Sequence, residues 1–363
     1  MDLKQQDFGN ALTKTGKIRM KALVLHAPNT PFSLEEVPDP TPGPGEAVAK
    51  VLACGSGLTI QHVKAGRMDA KFPIIIGHEI TAEIVEVGAG VTGLAVGDAV
   101  TSYYYLNCGH CRMCHANLEP LCLHPGGNIG RECDGGYAEY IKLPAHLFLK
   151  FPEGLDYKSN PAEIGVVMDA IATPYKVLRR AKVTGRDTVA IFGAGGGLGI
   201  HQVMMAKWAG ARVIAVDIAS DKFQACKDAG ADECVDPSDG NAVEALMDLT
   251  NGKGIDVAID YVSFKETIEP AIQALAPKGR FVTLGGAGQT FELNAHDMLL
   301  KELDILGSRY VTRAEIIESL ELVRDGKVWP IVTDIRPMAE AEGLHEAVEI
   351  GAVTGRGALL ISG

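Results

Sequence analysis

The sequence predicts a two-domain α/β protein: a barrel-like, β-rich body joined to a doubly wound parallel sheet. Three observations carry this. Short alternating apolar runs, divided by glycine and proline turns, fill the first part of the chain. From about Ala170 helices alternate with buried strands, the pattern of a parallel sheet with right-handed crossovers and helices on both faces. A glycine-rich turn, Gly193-Ala194-Gly195-Gly196-Gly197-Leu198-Gly199, joins one of those strands to its helix. At 363 residues the chain also exceeds what one core usually fills.

Taken in order, Ile18–His26 alternates basic and apolar residues and reads as a first strand. The Pro- and Gly-rich Pro38–Gly45 is a loop before the strand-like Glu46–Leu52. Ile74-Ile75-Ile76 runs into Gly77-His78-Glu79, after which Ile80–Val87 alternates again and stops at Gly88-Ala89-Gly90. Tyr137–Leu143 and Leu147–Phe151 are later strands of the same body. In the second unit Thr188–Phe192 is a buried strand, Ile200–Trp208 its helix and Arg212–Val216 the next strand. Gly254–Val262, Gly279–Leu284 and Leu303–Gly307 follow as strands, with helices over Ala242–Leu249 and Phe264–Leu275. The last stretch holds a helix near Ala314–Asp325, a strand Ile331–Ile335, a helix near Glu340–Ile350 and a final strand Gly357–Ser362. If it rejoins the first body, the second unit is an insertion: residues 1–169 with 309–363 on one side, 170–308 on the other.

Composition narrows the function. Charged residues at 22% and hydrophobic ones at 47% describe an ordinary soluble globular chain. A net charge of −12 argues against nucleic acid or an anionic membrane as partner. The longest stretch without formal charge, Thr188–Ala206, contains the glycine turn, His201 and Gln202, so it is no membrane span. Met1 to Lys17 is polar and lacks an apolar signal core, which reads as a loose extension and points to the cytoplasm. Eight cysteines in that setting suit metal ligands or buried thiols better than disulfides.

Glycines in the 193–199 turn permit a tight bend and close approach of a pyrophosphate, whose charge the helix N-terminus favours. The next strand ends in Asp217, placed to accept hydrogen bonds from a ribose diol. Strict G-x-G-x-x-G spacing puts Leu198 where the last glycine belongs, so Gly199 comes one residue late. Strand, turn, helix and terminal acid in register predict a dinucleotide site, with Gly193, Gly195, Gly196, Gly197, Leu198 and Gly199 as its cradle. A turn that only lets strand and helix pack closely is the simpler alternative. Asp217 favours NAD, because the 2′-phosphate of NADP would meet a carboxylate. Open α/β sheets bind ligands where the strands end, here Asp260-Tyr261-Val262 and Leu284-Gly285-Gly286.

The cysteine spacing Cys108-x2-Cys111-x2-Cys114-x7-Cys122 is the strongest single signal. Thiolates two residues apart converge on one ion from a backbone knuckle, and the fourth closes the tetrahedron across a short loop. Four sulfurs leave no open position, so a zinc here is structural and its binding energy folds a lobe, about 103–125, with little core of its own. Unrelated buried cysteines and an iron–sulfur cluster are the alternatives.

Together with Gly77-His78-Glu79 and the glycine turn, this lobe resembles the zinc-type medium-chain dehydrogenases/reductases, the alcohol dehydrogenase superfamily. The resemblance runs from about Ile18 to the end of the chain. Of the family's signature, Gly77, His78, Glu79, Gly88 and Val91 are present, while Ala82 stands where a glycine is usual. The resemblance implies a GroES-like catalytic domain with a catalytic zinc, a Rossmann domain, and NAD in the cleft between them. It also places Lys222 at the adenosine ribose and Thr173 near the nicotinamide, and implies a homodimer or homotetramer acting on a small-molecule substrate; Val262 and Leu284, at strand ends, are expected to make backbone contacts to the nicotinamide.

The resemblance also exposes a gap. The family's segment reading Cys-Gly-Val-Cys-His-Thr-Asp-Leu-His is here Cys54-Gly55-Ser56-Gly57-Leu58-Thr59-Ile60-Gln61-His62, so the ligand cysteine is Gly57 and the supporting aspartate is Ile60. Thr59 keeps the position of the hydroxyl that takes the alcohol's proton, and His62 that of the relay passing it outward. Ordinary polar residues at a domain edge are the alternative. The third ligand position is Asp169, in Asp169-Ala170-Ile171-Ala172-Thr173-Pro174-Tyr175, a segment similar to the 6-hydroxycyclohex-1-ene-1-carbonyl-CoA dehydrogenases. An acid in so apolar a run needs a cation or pairing, unless it caps the following helix. His78 and Asp169, with Glu79, are thus the candidate ligands of a catalytic zinc.

The reading is an NAD-dependent alcohol–carbonyl oxidoreductase. Its rivals are a zinc-independent enone or enoyl reductase, with Thr59 or His62 stabilising an oxyanion, and a catalytically silent nucleotide-binding protein. Leu58, Tyr103 and Tyr104 suggest an apolar pocket.

Overall fold

The computed structural model describes residues 19–362. The N-terminal extension and the first residue of the expected Ile18–His26 strand lie outside the described residues.

The first body is built on a seven-stranded sheet. Its order is Val332–Pro337, Arg356–Leu360, Glu46–Ser56, Ile80–Val87, Ala99–Ser102 and Phe148–Lys150, with Tyr140–Pro144 also pairing with Glu46–Ser56. Glu46–Ser56 is apolar and buried along nearly its whole length because it pairs with three other strands. A second sheet joins Ser33–Pro38, Arg19–Leu25 and Ile74–Ile75. Ser33–Pro38 has no counterpart in the sequence reading. It is a polar edge strand of half-buried and exposed residues, carrying too few apolar positions to stand out.

The C-terminal strand runs antiparallel to Glu46–Ser56 with Gly357 opposite Ser56. That register sets Arg356 beside Gly57, where the chain turns into the helix Leu58–Lys64.

The second body is a six-stranded, all-parallel sheet in the order Glu233–Val235, Arg212–Val216, Thr188–Phe192, Ile255–Asp260, Leu275–Thr283 and Asp304–Gly307. The strand order reverses between Thr188–Phe192 and Ile255–Asp260, so the crevice at the topological switch point opens beside Gly193 and Val262. The expected helix Phe264–Leu275 is shorter, Lys265–Gln273, because Leu275 already pairs with Ile255 as the start of the next strand.

The two bodies are linked by a broken helical passage. Pro161–Val166 is α-helical, Val167–Ile171 widens into a π-turn, and Ala172–Ala181 resumes the α-helix. Such π-turns displace side chains from the regular helical rows. Asp169 sits in the middle of this one.

Candidate active site

The glycine turn has the features of a phosphate cradle. Gly193 adopts φ +74°, a left-handed conformation that suits glycine. Gly199 is needed for space: a Cβ there would run into the carbonyl oxygen of Gly193, with Gly193 C and Ala194 Cα both 2.8 Å away. The glycine one residue late is therefore the one that lets the helix Gly199–Trp208 start against the strand. Asp217 accepts from the Gly195 amide (2.7 Å) and the Ala219 amide (2.9 Å), which ties the strand end to the turn. Lys222 Nζ donates to the carbonyls of Gly351 (2.7 Å) and Val353 (3.3 Å), bridging the turn region to the C-terminal segment. Val262, partly exposed, lies where a Cβ on Gly193 would meet its Cγ2 at 2.9 Å. A glycine cradle backed by an acid at the strand end fits NAD.

The four cysteines converge. Cys111 and Cys114 Sγ are 3.5 Å apart, Cys108 and Cys114 3.9 Å, and Cys111 and Cys122 4.0 Å. A tetrahedral zinc with sulfur ligands at ~2.3 Å separates them by roughly 3.8 Å. Backbone amides of Cys108 and Leu123 donate to Cys122 and Cys111 Sγ at 3.4 and 3.5 Å, the support thiolates take in such knuckles. The Cys111 thiol is pulled down to about 5, first by the amides of Leu123 and Cys114. The set fits a closed structural zinc site.

The cleft holds a second cluster. His78, Glu79 and Asp169 bring potential ligand atoms within 4.8 Å of one another, and all three are buried. Arg356, which the sequence reading passed over, lies against them. Its Nη2 donates to Asp169 Oδ2 at 2.5 Å and lies 3.3 Å from Glu79 Oε1. Asp169 Oδ1 accepts from the Thr173 hydroxyl at 2.7 Å. Both carboxylate oxygens of Asp169 are thus engaged. The alternative of a helix cap does not describe it either, since Asp169 caps no helix with its side chain.

The residues do not fit a resident catalytic zinc. A catalytic site needs three protein ligands. Gly57 offers none, both oxygens of Asp169 already accept hydrogen bonds from Arg356 and Thr173, and a permanently charged guanidinium stands among the remaining donors.

Burial governs the charges here. It pushes His78 down to about 4, keeping the imidazole neutral, with Asp169 opposing and Arg356 reinforcing the effect. Burial raises Glu79 to about 8 despite Arg356, so its carboxyl is largely protonated at neutral pH. Burial would raise Asp169 too, but Arg356, His78 and the Thr173 hydroxyl together hold it below the ordinary carboxylate range.

A cavity of about 340 Å³ opens beside this cluster, lined by Thr59, His78, Tyr104, Asp169, Thr173, Leu198 and Leu284 among others. Of the expected site residues, Thr59, His78, Asp169, Thr173, Leu198 and Leu284 meet there. His62 does not line it; its Nδ1 accepts from Arg67 Nε at 2.8 Å, and Arg67 forks onto Glu349. Of the three suggested pocket residues only Tyr104 faces the cavity. Tyr103 is fully buried, donating to Val311 O, and Leu58 is half exposed. Met68, Tyr105, Asn128, Arg131, Arg309 and Tyr310 complete the wall. Arg356 was findable: a lone arginine opening the apolar run Gly357–Ile361 needs an anionic partner, as Asp169 needs a cation.

The chain is similar to known proteins over nearly its whole length. Residues 43–153 match the family described as alcohol dehydrogenase GroES-like domain, and residues 197–325 match zinc-binding dehydrogenase. An alcohol dehydrogenase of Geobacillus stearothermophilus is 35% identical over 340 residues, covering 93% of this chain and 98% of that protein. An NAD-dependent alcohol dehydrogenase of Sulfurisphaera tokodaii is 30% identical over 351 residues, covering 94% and 100%. Among solved structures, AibC superposes with TM-score 0.87 at 34% identity over 95% of this chain and 96% of that one. A cobalt- and zinc-bound thermostable alcohol dehydrogenase of Pyrobaculum aerophilum gives 0.83 at 28% identity over 94% and 100%.

Proposed function

The chain belongs to the zinc-type alcohol dehydrogenase superfamily of medium-chain dehydrogenases/reductases, and from that premise we propose that it interconverts an alcohol and its ketone or aldehyde with NAD in the cavity beside Asp169. The observation that carries this reading is the convergence of Thr59, His78, Thr173, Leu198 and Leu284, from both bodies, on one cavity. When bound, NAD supplies a nicotinamide C4 that accepts or donates a hydride. Gly193, Gly195, Gly196, Gly197, Leu198 and Gly199 hold the pyrophosphate, Asp217 and Lys222 the adenosine ribose, and Thr173, Val262 and Leu284 the nicotinamide end.

Oxidation takes a hydride from the carbinol carbon and a proton from its oxygen; reduction reverses both. The half-buried Thr59 hydroxyl takes the hydrogen bond of the leaving proton. Neutral His78 and Thr59 donate to the carbonyl oxygen in the reductive direction, stabilising charge as it develops. His62 keeps only Nε2 for a relay, since Nδ1 is engaged by Arg67.

Gly57 favours a second reading, reduction of a conjugated double bond. A hydride adds to the β-carbon and a proton to the α-carbon, with the enolate oxygen held by Thr59 and His78. The likeness of the Asp169–Tyr175 segment to 6-hydroxycyclohex-1-ene-1-carbonyl-CoA dehydrogenases, which act on a hydroxyl, favours the first reading, and Arg131 and Arg309 in the wall suit a substrate bearing a negative group in either.

A panel of neutral and acidic alcohols, ketones and enones with NAD(H) and NADP(H) tests both. Turnover of alcohol–ketone pairs with NAD supports the first reading, and turnover of enones alone moves the assignment to the second. Inertness toward every member, with NAD still bound, would leave the silent nucleotide binder. Thr59→Val is expected to lower kcat by about 10²–10³ with little change in NAD affinity, the cost of one lost oxyanion donor; steady-state kinetics and NAD titration check this.

No helix among the described residues is long and apolar enough to cross a membrane. The proposal includes a cytoplasmic location and a homodimer or homotetramer. Leu299 and Leu300, 70% and 67% exposed on the helix leading into edge strand Asp304–Gly307, support association there.

A further inference from the structure

We infer that Arg356 occupies the place of the catalytic metal ion without taking over its role: the cleft is built around a fixed guanidinium and holds no resident zinc. The inference deepens the oxidoreductase reading by naming how its reaction centre is charged.

Space comes first. Gly57 is buried and has φ −123°, an extended backbone that any residue adopts, so the glycine is not there for conformation. What it provides is room. A Cβ at Gly57 would overlap Arg356 Nη1 and lie 2.9 Å from Cζ and 3.2 Å from Glu79 Oε1. The volume of a ligand cysteine is filled by guanidinium. The strand register that puts Gly357 opposite Ser56 is what brings the guanidinium to that volume.

The ligands come second. Arg356 takes one oxygen of Asp169 and Thr173 takes the other, so an ion bound by His78, Glu79 and Asp169 would have to share both Asp169 oxygens with them. Glu79 Oε1 also faces the guanidinium. Arg356 is itself 4% exposed and enclosed by these partners, so leaving would strand Asp169 in the interior. A divalent ion in the same volume would sit against a permanent cation with too few ligands to offset the repulsion.

The chemical consequence is a division of labour. The guanidinium keeps Asp169 ionised, and Asp169 in turn fixes the Thr173 hydroxyl where the cavity meets the second body. Polarisation of the substrate oxygen then falls to hydrogen-bond donors in the cavity wall. Arg356 is a positioning residue, not a Lewis acid.

Metal content of the purified full-length protein, prepared without a metal-affinity step, tests this directly. One zinc per chain is expected, with no additional cobalt-binding step and no new d–d absorption when the one-zinc protein is titrated with Co²⁺. Two zinc ions per chain, or a second saturable cobalt site, would overturn it whatever the protein's activity. The converse construction is Gly57→Cys with Arg356→Ala, which clears the slot and supplies the thiolate. If it folds, zinc content should rise from one to two per chain; a folded double variant that still holds one overturns the claim that these two residues decide the site. Should it fail to fold, the wild-type count still decides. Failure of the substrate panel would sink the oxidoreductase reading and leave the metal count untouched, so the two are separable.

Discussion

Arg356→Met is expected to destabilise the protein by about 3–5 kcal/mol at neutral pH, the usual cost of stripping one partner from a buried ion pair. The substitution leaves the carboxyls of Asp169 and Glu79 facing each other in the interior without their cation. Its pH dependence distinguishes charge from packing. In the wild type Asp169 is held below its ordinary value of 3.8, so its contribution is present above that value and is lost as pH falls through the lowered one. Glu79 runs the other way: raised from 4.5 to about 8, it favours folding fully below 4.5 and loses that contribution as pH rises toward 8. Without Arg356 both carboxyls must be protonated to stay buried. The unfolded chain already binds those protons near pH 4, but not at pH 7. The penalty should therefore shrink steadily on acidification. Urea unfolding of wild type and variant from pH 4 to 8 measures it; a penalty independent of pH would mean that Arg356 matters for packing alone.

Loss of the zinc proposed for the four cysteines is the second large effect expected. Structural zinc contributes folding free energy outright, on the order of 10 kcal/mol or more in small zinc modules. Here the lobe from Cys108 to Cys122 contains only the short helices Arg112–His115 and Glu119–Leu121, with Leu118 and Leu121 nearly half exposed, so a zinc on the cysteines would be its main support. Cys111→Ser is expected to abolish zinc retention and loosen this lobe, with amide exchange rising there first. The six-stranded parallel sheet has its own core around Phe192, Ile214 and Phe281 and should keep its protection. Zinc content and hydrogen exchange by mass spectrometry check both halves. Full zinc occupancy in Cys111→Ser would remove the cysteine quartet as the site.

The two effects concern charges of different origin, and they show how far sequence reading reaches. The cysteine quartet was legible because its ligands lie within one short segment, and spacing alone dictates convergence on one ion. The nucleotide cradle was legible for the same reason, being strand, turn and helix in succession, though why Gly199 comes late needed the Gly193 carbonyl opposite it. The broad β-rich and parallel α/β patterns followed from local periodicity. The polar edge strand Ser33–Pro38 and the π-turn at Asp169 did not, since one lacks an apolar face and the other breaks the helical period.

The reaction centre is where local pattern ran out. From the sequence, Gly57 is a missing ligand and Asp169 an acid in want of a cation. The cation lies 187 residues further along the chain. It is delivered by an antiparallel register between the third described strand and the last, and no local periodicity encodes that pairing. What the sequence by itself determined is the family, the glycine turn between strand and helix, and the four-cysteine lobe, all legible in contiguous segments. Only the tertiary structure decided what charge sits in the cleft, because that charge is set by which distant side chain fills the space that Gly57 leaves open.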